Sequence, residues 1–122
     1  MARILHVDDS SFSRLQIGKV LKHAGHELLQ AENGRIGLEQ VQHQAPDLII
    51  TDILMPEMDG IVFLEALREL GNRIPVLVIT ADVQHDTREN CFALGAVALL
   101  NKPPRDEELL ATVAQALAQG GT

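Results

Sequence analysis

The chain has 122 residues, 46% apolar and 22% charged, a balance that excludes extensive disorder and fits a single domain spanning 1–122. A formal charge of −7 has the wrong sign for holding nucleic acid, and three Phe with no Tyr or Trp leave no aromatic platform for stacking bases. Cys91 is the only cysteine, which rules out an internal disulfide and a multi-thiolate metal site and fits a reducing, cytoplasmic setting.

In chain order, the apolar run in "MARILHVDD" predicts a strand over Arg3 to Val7, turning acidic before any signal-peptide core is complete. A helix is expected over Ser11 to Ala24, with Ile17, Val20, Leu21 and Ala24 on one face and Gly25 closing it. A strand at Glu27 to Gln30 follows, then a helix from Gly34 to Gln44 that Asn33 can cap and Pro46 prevents from continuing. Leu48 to Thr51 and Val76 to Thr80 are near-continuous apolar runs, the pattern of strands buried on both faces of a parallel sheet. Between them a helix over Gly60 to Leu70 carries Phe63, Leu64 and Leu67 and stops at Gly71. A more polar helix is expected over Asp86 to Leu94, then a short strand at Ala98 to Leu100 and a helix over Asp106 to Gln119. No apolar run approaches the ~20 residues that a bilayer span needs.

Five strands alternating with five helices imply an α/β fold, a doubly wound parallel sheet with right-handed crossovers. Ligands of such sheets bind beyond the carboxyl ends of the strands. Those ends carry Asp8 and Asp9 after the first strand, Asp52 after the third, Thr80 at the end of the fourth and Lys102 after the fifth.

Each of these residues has an ordinary reading by itself. Asp8-Asp9-Ser10-Ser11 suits a helix N-terminus, Asp52 a turn before Pro56, and Asp59-Gly60 a helix cap. Taken together they read differently, because clustered carboxylates repel and need a compensating cation. A hard divalent ion such as Mg2+, with Lys102 beside it, fits that need. Asp52 could then attack a phosphoryl group, with the Thr80 hydroxyl and Lys102 arranged around it.

At this point the sequence resembles the receiver domains of two-component response regulators over essentially its whole length. The resemblance is carried by "HVDDS", by "DLIITDILMPEMDG" with Asp52 at its centre, by "VLVITA" ending its strand with Thr80, and by "NKPP" with Lys102. It implies the flavodoxin-like strand order 2-1-3-4-5, and phosphorylation of Asp52 by a histidine kinase or histidine phosphotransfer protein. It also implies Mg2+ or Mn2+ organised by Asp8, through water, and by Asp9, Asp52 and the backbone carbonyl of Leu54. Thr80 would turn toward the phosphoryl group and Lys102 would contact it. A changed surface on the fourth helix, fifth strand and fifth helix would then meet a downstream protein or a fused output domain, without separate substrate turnover.

Two departures from the family pattern bear on output. Leu99 stands where many receivers have Tyr or Phe, and Pro104 follows Pro103 where Phe is common. Leu54 offers no side-chain hydrogen bond to a hydrolytic water, and Asp82 adds negative charge near its approach, so both are expected to set the phosphate lifetime. Rival readings are a haloacid-dehalogenase-like phosphohydrolase, which wants an acid where Leu54 stands, a flavodoxin-like flavin carrier, whose phosphate Asp8-Asp9 would repel, and a receiver-like scaffold. His6, His23, His26, His43 and His85 share no ligand spacing, and none is assigned a role.

Overall fold

A computed structural model describes residues 2–55, 57–81 and 84–120. Strands and helices alternate without exception: β1 (Arg3–Val7), α1 (Ser11–His23), β2 (Glu27–Ala31), α2 (Gly34–Gln44), β3 (Leu48–Thr51), α3 (Gly60–Glu69), β4 (Val76–Thr80), α4 (His85–Ala93), β5 (Ala96–Asn101) and α5 (Asp106–Gly120). The five strands form one parallel sheet in the order β2-β1-β3-β4-β5. This is the doubly wound, flavodoxin-like arrangement that the sequence and its resemblance lead one to expect.

The apolar pattern of each strand follows its place in that order. β3 and β4, in the interior of the sheet, are buried at every residue, whereas β2 at one edge is only partly covered. Side chains alternate between two apolar layers, as a period of two requires. Leu5, Val7, Ile49 and Val78 point toward a layer that includes Phe63, Leu64 and Leu67 of α3 and Cys91 of α4. Ile4, Ile50, Leu77 and Ile79 point into the opposite layer, with Ile17 and Leu21 of α1 and Leu109 and Val113 of α5. His6, 1% exposed, shares the second face, two residues from Ile4.

Helix ends follow the capping chemistry read from the sequence. Ser10 Oγ accepts the Ser13 amide at 3.1 Å, Asn33 Oδ1 the Ile36 amide at 2.9 Å, and Asp59 Oδ1 the Val62 amide at 3.0 Å. The cap reading of Asp59 therefore holds. α4 has no side-chain cap, and Cys91 is its fully covered residue.

β5 is longer than the sequence suggests, starting at Ala96 rather than Ala98 and running to Asn101. Small residues at its start give weak strand propensity, and pairing supplies what propensity lacks: Val76 pairs with Ala96 and Leu77 with Ala98, a shift that leaves Val97 as an extra residue. α4 likewise starts one residue earlier than expected, at His85.

Candidate functional site

Three polar residues stand one position beyond their strands, and each is fixed by its own backbone. The Asp8 amide donates to the Ala31 carbonyl at the end of β2, the Asp52 amide to Val7 at the end of β1, and the Lys102 amide to Thr80 at the end of β4, each at 3.0 Å. The sheet ladder thus runs one residue past the strands and presents the three side chains at one edge. Thr80, fully buried, completes the row on β4, in register with Asn101.

The side chains converge. Lys102 Nζ lies 2.6 Å from Asp52 Oδ2, and 3.2 and 3.0 Å from Asp8 Oδ1 and Oδ2. The other Asp52 oxygen, Oδ1, accepts the Ile53 amide at 2.6 Å. Asp8 Oδ1 also accepts the amide of Ser10 at 2.9 Å, and the cap of α1 itself is the Ser10 hydroxyl rather than the acidic pair. Arg14 on α1 donates to the Asp8 carbonyl at 2.5 Å and holds the β1–α1 turn from outside.

Carboxylate oxygens of Asp8, Asp9 and Asp52 all lie within 4.8 Å of one another, a spacing at which each pair repels by about 3.5 kcal/mol at an effective dielectric of about 20. One ammonium against three carboxylates leaves an excess of negative charge at an edge where Asp8 and Asp52 are buried and Asp9 is exposed. An all-oxygen donor set with one solvent-facing member suits a hard, partly hydrated divalent cation, so the residues fit Mg2+.

Protonation follows the same geometry. Burial works against the charged form of Asp8, but the His6 imidazole, the Ser10 amide, the Ser13 hydroxyl and Lys102 outweigh it and hold the carboxyl well below the usual carboxylate range. For Lys102, burial favours the neutral amine, and the bonds to Asp52 and Asp8 reverse this and raise its pKa above the ordinary lysine value. At neutral pH both keep their charges.

The segment after Asp52 is tightly fitted. The Gly60 amide donates to the Ile53 carbonyl at 2.8 Å, and a Cβ on Gly60 would lie 2.3 Å from the Asp52 carbonyl oxygen. Asn33 Nδ2 reaches Glu57 at 3.1 Å and ties this segment to the start of α2. Leu54 faces solvent, 60% exposed. Leu99, at the position of the usual aromatic, is buried on β5 opposite Val78. Pro56 and Asp82 lie outside the described residues.

The structure therefore brings Asp8, Asp9, Asp52 and Lys102 into one cluster and places Thr80 at the same sheet edge, with Leu54 two residues beyond Asp52. Sequence reasoning missed two contributors. Gly60 reads as a helix start, and only the tertiary fold shows the carbonyl pressed against it. His6 carries a legible signal, a polar residue in the inward register of an apolar strand, but its Nε2 position 3.6 Å from Asp8 Oδ2 is visible only in three dimensions. Among the described residues, no helix is long and apolar enough to cross a membrane.

Comparison with known proteins gives a consistent result. A family model for the response regulator receiver domain matches residues 4–114. Protein PilH of Pseudomonas aeruginosa is 36% identical over 123 residues, covering 97% of this chain and 99% of its own. Protein-glutamate methylesterase/protein-glutamine glutaminase of Treponema denticola is 36% identical over 122 residues, covering 96% of this chain but 33% of its own, so the chain spans about a third of that relative. Among solved structures, the chemotaxis protein CheY4 of Vibrio cholerae superposes with a TM-score of 0.89 at 35% identity, covering 95% of this chain and 98% of its own.

Proposed function

The chain belongs to the response regulator receiver domain family, and from that membership we propose a Mg2+-dependent phosphorylation switch in which Asp52 accepts a phosphoryl group from a histidine kinase or histidine phosphotransfer protein. The observation that carries this reading is the placement of Asp52. Its carboxylate is buried, one oxygen is held by the Ile53 amide, and the other meets Lys102 at 2.6 Å among the carboxylates of Asp8 and Asp9.

Phosphoryl transfer asks mainly for positioning and charge neutralisation, and each residue contributes to one or both. Asp52 Oδ1 is fixed by a backbone amide, which leaves Oδ2, held only by a flexible lysine side chain, as the nucleophile. Oδ2 bonds to phosphorus as the donor's P–N bond breaks and the histidine leaves. Lys102 then turns from Oδ2 to the phosphoryl oxygens, and the Thr80 hydroxyl donates to them. Asp8, Asp9, Asp52 and the Leu54 carbonyl would hold Mg2+ or Mn2+, which neutralises the phosphoryl oxygens. All 122 residues work as one receiver domain, whose output is a shifted equilibrium of the α4, β5 and α5 face.

With Leu99 at the usual aromatic position, that shift has to pass through a buried aliphatic side chain rather than a rotating ring. The partner is a downstream protein or a fused output domain, and neither nucleic acid nor a membrane is a direct ligand of this domain in the cytoplasm. The chain acts on its own carboxylate and turns over no separate substrate. Incubation with acetyl phosphate and Mg2+ should add one phosphate by intact mass, and the Asp52→Asn variant should gain none. A variant that still gains the phosphate mass would overturn the assignment.

A further inference from the structure

His6 is an anomaly. It lies in β1 between its register partners, Gln30 on the edge strand β2 and the buried Ile50 on β3, and is 1% exposed. Its Nδ1 is the buried side-chain nitrogen or oxygen that, among the described residues, has no hydrogen-bond partner. A branched aliphatic residue at this place would match Ile4 on the same face and carry no unpaired polar atom.

The other ring nitrogen faces the site. Nε2 lies 3.6 Å from Asp8 Oδ2, with both side chains almost fully covered. That oxygen can only accept, so a proton on Nε2 is the one this contact can use, while Nδ1 has no partner. The separation exceeds a formed hydrogen bond, and Lys102 contacts the same oxygen at 3.0 Å. Lys102 is shared, its shorter contact being the 2.6 Å to Asp52.

We propose that His6 is a positioning residue for this site, a buried donor that closes on the Asp8 carboxylate when Lys102 is drawn away and keeps Asp8 aimed at the metal and phosphoryl position. The inference rests on the phosphoryl-acceptor reading for the event that moves Lys102. When the lysine turns to the phosphoryl oxygens, a buried carboxylate loses part of its neutralising contact. Of the groups near Asp8, among them the Ser10 amide and the Ser13 hydroxyl, the imidazole is the one set into the sheet itself. Outer partners that orient ligating carboxylates commonly change metal affinity by about ten- to a hundredfold when removed.

The test uses the full chain and separates this role from packing. In metal-free Lys102→Ala, the His6 Nε2 proton should move downfield relative to wild type and exchange more slowly, as the bond to Asp8 closes. His6→Val should raise the metal-free Tm by about 3–6 °C, because the unpaired Nδ1 is gone. The same variant should bind Mg2+ about tenfold more weakly by calorimetry, and His6→Gln, whose amide can donate, should recover most of that loss. An imidazole signal that does not move in Lys102→Ala, or unchanged Mg2+ affinity in His6→Val, would make His6 a packing residue and end the proposal. If wild type takes up neither Mg2+ nor phosphate, the switch reading itself fails, and the imidazole signal in the metal-free Lys102→Ala protein still decides the role of His6.

Discussion

Leu54 stands two residues beyond Asp52 with its side chain in solvent, where an apolar group gives an incoming water no hydrogen-bond partner. Leu54→Asn supplies an acceptor and a donor at that place, and should shorten the half-life of the phosphorylated protein several-fold, read by intact mass after the phosphodonor is removed. Unchanged decay would sink this role for Leu54. The Asp8–Lys102 pair makes a second residue-level prediction. The Asp8 pKa is depressed in the fold, so its stabilisation is complete above the unfolded value of 3.8 and is lost as pH falls below it. The Lys102 pKa is raised, so its contribution is complete below 10.5 and is lost as pH rises past that value. Denaturant melts should show wild type losing more stability between about pH 5 and pH 2 than Asp8→Asn does, with little pH dependence from this pair around neutrality.

At the scale of elements, the junction of β3 and α3 is the most demanding part of the fold. α3 starts where its first residue must pass against the chain that has just left Asp52, and Gly60 allows a separation that no Cβ can share. Gly60→Ala meets backbone on two sides, the Asp52 carbonyl and Ile53 Cα at 2.7 Å, and backbone cannot swing aside as a side chain can. The cost should fall near the upper end of overpacking penalties, about 3 kcal/mol in chemical denaturation. Phosphate uptake should drop as well, because the strain falls on the nucleophile's own peptide. α4 stands at the other extreme: it is polar, has no side-chain cap at its N-terminus, and has Cys91 as its fully covered contact with the core, and it belongs to the face proposed for output.

Over the whole molecule, crossover topology gathers residues from positions 8 to 102 at one sheet edge and leaves them short of positive charge. Metal binding should therefore couple to global stability. Saturating Mg2+ at about 100 times its Kd should add about 2.7 kcal/mol to unfolding, read as a higher Tm that EDTA reverses. Asp9→Asn should remove most of that shift, while raising the metal-free Tm by relieving repulsion at an exposed position. An equal Mg2+ shift in wild type and Asp9→Asn would argue against Asp9 as a ligand. How much of this was legible beforehand differs by feature, for physical reasons. The alternation of apolar runs and helical spacing determined the α/β class, the buried strands β3 and β4, the caps at Asn33 and Asp59, and which polar residues end each strand, because burial and capping act through residues close in sequence. The start of β5 at Ala96 was not legible, because a weak strand is recruited by its neighbour. Nor was the sharing of Lys102 between Asp8 and Asp52, the carbonyl that excludes a side chain at Gly60, or the half-partnered imidazole of His6. Those depend on distances between segments far apart in the chain, and only the packed sheet fixes them.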